Sequence, residues 1–101
     1  MLIVVATVSV QPDKRAAFAA AAAGYAAITR KEAGCLAYDC HQSVTDPDKF
    51  VFLERWESQV HMEQHSKTPD MAVFMGAAIT CVAAAPVIEA IEPASIRLVE
   101  M

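Results

Sequence analysis

The side chains best suited to chemistry cluster between positions 54 and 65: Glu54, Trp56, His61 and His65. A histidine beside an apolar pocket is a natural general base, because its pKa lies near working pH. His65 is the strongest candidate for that role, with Glu54 expected to orient it and stabilise its protonated form. Glu54 and Trp56 are two apart, so on a strand they share a face. Trp56 then offers a flat surface to an aromatic substrate. Phe52 lies on the same strand face, and His61 sits one helical turn before His65. Blander roles compete with these: Trp56 as core, Glu54 as a structural carboxylate, His61 as a solvated helix residue.

Thr7, Tyr38 and His41 are further polar candidates for contacting substrate. Tyr38 and His41 are three apart on one strand, so they face oppositely and at most one lines a pocket. Hairpin register decides which, since a one-residue slip exchanges the faces.

Metal and cofactor chemistry find little support. His61-Met-Glu-Gln-His65 reads H-x-E-x-H, not H-E-x-x-H. The two histidines could join His41 around a metal, but no matching carboxylate or thiolate follows, so no metal is assigned. Cys35 and Cys40, five apart on a strand, are expected on opposite faces; Cys81 reads as core. Gly24, Gly34 and Gly76 make neither a GxGxxG nor a phosphate loop, and no CxxCH is present. No cofactor is expected, which leaves side chains and the substrate's own reactivity.

These residues need a frame. Residues 2–10 alternate, with Ile3, Val5, Thr7 and Ser9 on one side and Leu2, Val4, Ala6, Val8 and Val10 on the other, which predicts a strand. Asp13 is the expected N-cap of a helix over 14–31. In that helix Phe18, Tyr25 and Ile28 share a face, and Gly34 follows as the C′ residue. Strands are predicted over 35–44 and 50–57, joined by the turn Thr45-Asp46-Pro47-Asp48. Ser58 caps a helix over 58–66, and Thr68-Pro69-Asp70 restarts one through about Cys81. Val87 to Ile91 is the fourth strand, and Ile96 to Val99 can add an extended piece. The order β-α-β-β-α-β predicts an α+β, ferredoxin-like domain with an antiparallel sheet, one domain over 1–101.

Composition sets the outer limits. The chain has 101 residues, 55% hydrophobic and 20% charged, which excludes intrinsic disorder. A net charge of −4 with no basic stripe argues against nucleic acid. Three cysteines are an odd number, which fits reduced thiols in a cytoplasm. The apolar start has no positive n-region and alternates, so it is a strand and not a signal peptide. Met71 to Ile88 is uncharged for 18 residues, the lower limit for a membrane span. Gly76, Thr80 and Pro86 interrupt it, so a buried helix running into a strand is expected, and no membrane partner.

The third strand carries a further expectation. Phe50, Phe52, Glu54 and Trp56 lie on one face, and Val51, Leu53, Arg55 and Glu57 on the other. Both faces begin apolar, whereas a solvated face should turn polar. Two helices cover only one face of a four-stranded sheet. The other calls for a second copy of the chain, a homodimer through the sheet face.

Taken together, Glu32-Ala-Gly-Cys-Leu-Ala-Tyr38, Asp46-Pro47, Phe50, Glu54-Arg-Trp-Glu-Ser58, His61, His65 and Thr68-Pro69 resemble the antibiotic biosynthesis monooxygenase family, in its quinol-monooxygenase-like group. The resemblance spans about residues 1–92 and rests on the blocks in combination. It implies a ferredoxin-like fold that pairs through its sheets into a dimeric α+β barrel. It also implies a cofactor-independent monooxygenase acting on an electron-rich aromatic such as a quinol or phenol. Other members are haem-degrading enzymes and a sugar-phosphate isomerase. The haem-degrading members use an Asn on the first strand, a Trp and a late His. This chain has no Asn, and Val73, Phe74 and Met75 stand near the position of that His, so haem degradation is disfavoured. A small-metabolite isomerase acting through His65 and His41, and a non-catalytic dimeric ligand-binding or stress-response protein, remain alternatives.

Overall fold

A computed structural model describes residues 1–101. Strand β1 (Leu2–Ser9) leads through a 3-10 turn at Pro12–Lys14 into helix α1 (Arg15–Thr29). Strands β2 (Cys35–Gln42) and β3 (Lys49–Trp56) form a hairpin. Helices α2 (Gln59–His65) and α3 (Pro69–Ala78) follow, then strand β4 (Val87–Ile91). The sheet order is β2-β3-β1-β4, antiparallel throughout. This is the ferredoxin-like α+β arrangement, with the second helical crossover split in two.

The helices cover one face. Period-two alternation sends Leu2, Val4, Ala6 and Val8 of β1 into the core, beside Phe50, Phe52, Glu54 and Trp56 of β3. Helix α1 buries Phe18, Ala22, Tyr25, Ala26 and Thr29, a stripe at spacings of four, three, one and three. Phe18 meets Phe50 and Phe52 with ring centroids 5.0 and 6.2 Å apart. The stripe passes through Thr29 rather than Ile28, which is exposed.

Several boundaries differ from expectation for local reasons. Pro12 opens a 3-10 turn closed by the Lys14 amide donating to the Gln11 carbonyl at 2.9 Å, so Asp13 lies inside that turn and does not cap α1. The helix stops at Thr29, and Gly34 serves a later turn with φ +78° rather than the helix end. A bulge between Cys35 and Ala37 shifts the parity of β2. Cys35 and Cys40 therefore both pack on the helix side, not on opposite faces. Helix α3 ends at Ala78, short of Cys81, and Ile96 to Val99 form no strand.

The two remaining helix starts follow the sequence. Ser58 Oγ accepts from the His61 amide at 3.3 Å, and Thr68 Oγ1 from the Met71 amide at 3.1 Å. Pro69 occupies the first turn of α3, where its missing N–H is harmless.

No helix covers the opposite face of the sheet. Ile3, Val5 and Val51 are half-buried there, and Leu53, Val87 and Ile91 are exposed. No helix is long and apolar enough to cross a membrane. All three cysteines are free thiols.

Candidate active site

Between the sheet and helices α1, α2 and α3 lies a cavity of about 230 Å³. Its sheet side is built from Val4, Ala6, Phe52 and Tyr38, its helix side from Tyr25, Met71, Phe74 and Met75. Besides the phenols of Tyr25 and Tyr38, the ionisable side chains that open into it are Glu54 and His65. A second groove, between α1 and β2, is walled by alanines and the Arg30–Asp39 pair and presents no histidine.

His65 is the last residue of α2 and is 3% exposed. Thr68 Oγ1 donates to the His65 carbonyl at 3.0 Å and so ties the end of α2 to the start of α3. The imidazole Nδ1 lies 3.1 and 3.2 Å from the two carboxylate oxygens of Glu32. A carboxylate only accepts, so its partners assign the proton to Nδ1 and leave Nε2 as the acceptor nitrogen. Nε2 lies 3.3 Å from the Tyr25 hydroxyl.

Trp56 supports this histidine from behind. It is completely buried, with its indole 4.6 Å from the imidazole centroid at 34°. Its Nε1–H donates to Glu54 Oε1 at 3.0 Å. Trp56 is therefore not the flat wall expected for a substrate; the aromatic walls are Phe52, Phe74, Tyr25 and Tyr38. Tyr25 and Phe74 stack at 4.4 Å with planes 2° apart.

The carboxylate that orients His65 is Glu32, not Glu54. Glu54 bonds to Trp56 and lines the cavity. Burial pushes its carboxyl above the usual range, against the lowering effects of the Trp56 bond and the nearby His65. Burial also pushes the phenols of Tyr25 and Tyr38 well up, so both stay neutral.

The register separates the other candidates. Tyr38 pairs with Glu54 and turns into the cavity, while His41 pairs with Val51 on the opposite face, its side chain 56% exposed. Thr7, opposite Val51 and Val87, lies on that outer face too. Neither His41 nor Thr7 reaches the cavity. Phe52 does. His61 does not: its Nδ1 is 2.8 Å from Ser58 Oγ, and its ring fills the space where a Cβ on Gly34 would stand. No three His, Cys, Asp or Glu side chains converge as a metal site would require.

Two participants, Glu32 and Tyr25, were missed as site residues by sequence reasoning. Glu32 sits in a loop with no periodicity to mark it. Tyr25 gave a usable signal, since a tyrosine on a buried helical stripe needs a partner for its hydroxyl.

Comparison with known proteins agrees with this architecture. The family model described as antibiotic biosynthesis monooxygenase matches residues 1–77. "Putative monooxygenase YcnE" of Bacillus subtilis (strain 168) is 31% identical over 75 residues, covering 74% of this chain and 79% of the relative. "Probable quinol monooxygenase YgiN" of Escherichia coli (strain K12) is 40% identical over 52 residues, covering 44% of this chain and 50% of the relative. The chain spans half the length of two of the curated relatives it matches. In fold, it superposes on a "putative antibiotic biosynthesis monooxygenase" from Deinococcus radiodurans with TM-score 0.93 and 24% identity, over 100% of both chains. The family match over residues 1–77 and the 31% identity to the Bacillus relative agree: the chain belongs to the antibiotic biosynthesis monooxygenase family.

Proposed function

We propose that this protein is a cofactor-independent monooxygenase that uses O2 to oxidise an electron-rich aromatic hydroxyl compound of the quinol or phenol type, with His65 as the base. One observation carries the proposal: a buried histidine, oriented by Glu32, that opens its unprotonated nitrogen side toward an apolar aromatic cavity. The names of the Bacillus and Escherichia relatives point to the same chemistry.

His65 Nε2 takes the proton of a phenolic hydroxyl, and Glu32 stabilises the imidazolium. The phenolate gives one electron to O2, and the aryloxyl radical and superoxide recombine at a ring carbon. His65 returns its proton to the resulting peroxide. It then takes the proton on that ring carbon as the O–O bond breaks. The carbon–hydrogen electron pair becomes a carbonyl bond, and the departing hydroxide takes the His65 proton to leave as water. One oxygen atom stays in the product. The protein's contribution is a base, orientation and a cavity that keeps water from the radical pair.

The outer face of the sheet is the proposed seat of a second copy. Leu53, Val87 and Ile91 are exposed there, beside the half-buried Ile3, Val5 and Val51, on a face that no helix covers. Light scattering is expected to give about twice 10.9 kDa, and Leu53→Asp to return it to the single-chain mass. The free thiols of Cys35, Cys40 and Cys81 support a reducing, cytoplasmic place of action.

Oxygen uptake with a panel of hydroquinones tests the activity. Uptake above the buffer autoxidation rate, lost in His65→Gln, is the expected result. Equal rates in wild type, variant and buffer across the panel would instead favour a ligand-binding role.

A further inference from the structure

We propose that Tyr25 is a positioning residue acting as a two-place latch on His65: its hydroxyl donates to Nε2 until a substrate hydroxyl claims that lone pair, and then turns to Met71 Sδ. The inference rests on the reading of His65 as the base, and it adds a residue pair that this reading does not need.

The geometry is a triangle with Tyr25 Oη at one corner. His65 Nε2 and Met71 Sδ are each 3.3 Å from it. A hydroxyl has one proton, so it can serve only one of these acceptors at a time. Nδ1 is already committed to Glu32. Nε2 is therefore the single lone pair for which Tyr25 and a substrate hydroxyl compete. The other oxygen beside the phenol, the buried Thr29 Oγ1, makes no hydrogen bond, so without the sulfur a displaced tyrosine proton would be stranded in an apolar cavity, and that cost would count against binding. The thioether is a weak acceptor, so it holds the proton only when Nε2 is taken.

Only the proton needs to move. The Tyr25 ring is clamped by Phe74 at 4.4 Å and by Tyr38, edge-on, at 5.8 Å. Thr68 fixes the other two corners together, donating to the His65 carbonyl and accepting from the Met71 amide. Burial keeps the phenol protonated, so the donor is always present.

Two measurements test the latch, and neither requires turnover. The first is the nitrogen-15 NMR spectrum of His65 in ligand-free protein. Tyr25→Phe is expected to move the Nε2 resonance toward that of an unbonded acceptor while Nδ1 stays protonated, and Met71→Leu to leave both in place. An Nε2 resonance indifferent to Tyr25→Phe would overturn the proposal. The second is binding of 4-nitrophenol. Met71→Leu conserves volume and is expected to weaken binding about fivefold, the size of one neutral hydrogen bond. Adding Met71→Leu to Tyr25→Phe is expected to change binding no further. An equal effect of Met71→Leu with and without the tyrosine hydroxyl would mean the sulfur acts by packing alone, which contradicts the latch. Loss of the latch signals with oxygen uptake intact would remove Tyr25's role only; absent oxygen uptake with the signals present would remove the oxygenase reading only.

Discussion

Glu32, three residues past the end of α1, holds both its carboxylate oxygens within 3.2 Å of Nδ1 of His65, the last residue of α2. Thirty-three positions separate them in sequence. The pair fixes the ring, its tautomer and the nitrogen offered to the cavity. Trp56 packs against the same imidazole at a tilt of 34° and bonds to Glu54, so one buried indole braces both ionisable walls of the site.

Removing the orienting carboxylate should hurt catalysis more than folding. Glu32→Ala is expected to lower kcat/KM by roughly 10- to 100-fold, and His65→Gln by about 10²- to 10⁴-fold, the range of general acid–base catalysis. Circular dichroism should show the same fold in both. The ratio of initial oxygen-uptake rates, wild type against each variant, checks this. Equal rates for Glu32→Ala and wild type would assign the orienting role elsewhere.

Glu54 should leave a signature in stability against pH. Burial raises its folded-state pKa, so the folded protein holds this proton more tightly than the unfolded chain does. Its contribution is therefore fully present below the ordinary glutamate value, about 4.3, and is lost as pH rises toward the raised value. Glu54→Gln keeps an acceptor for Trp56 and has no proton to lose. The difference in Tm, wild type minus Glu54→Gln, should fall as pH increases through that window. A difference that is flat would mean that folding leaves this carboxyl unshifted, and one that rises with pH that folding stabilises the anion; either contradicts the prediction.

Gly34 meets two constraints at once. Its φ of +78° is a region that L side chains rarely adopt, and the His61 ring occupies the place of a Cβ. Gly34→Ala should cost about 1–3 kcal/mol in urea unfolding. His61→Ala in the same chain should recover the steric part and leave the backbone part, a non-additive pair. Full additivity would indicate that the two side chains never compete for that space.

The parts of this molecule that depend on near neighbours could be read directly. Period-two alternation in residues 2–9 and 49–56 sorted each strand into its two faces, and Ser58 and Thr68 marked helix starts because a cap is a contact three residues long. The site depends on distant neighbours. Whether Tyr38 or His41 enters the cavity is a question of hairpin register, and it is answered by the pairing of Tyr38 with Glu54. The bulge after Cys35 changes strand parity without any glycine or proline in the strand to announce it. The choice between Glu32 and Glu54 as partner of His65 depends on how a loop after α1 meets the end of α2. Trp56 looked like a substrate wall because its strand face was right; its depth at the strand end was not visible in the alternation.

The central claim is that His65 starts the insertion of one atom of O2 into an aromatic substrate held in this cavity. Turnover of a hydroquinone under ¹⁸O2 tests it most directly. The account predicts a product carrying one ¹⁸O atom and the other in water, with His65→Gln reduced to the rate of buffer. A product without ¹⁸O, formed together with hydrogen peroxide, would contradict it.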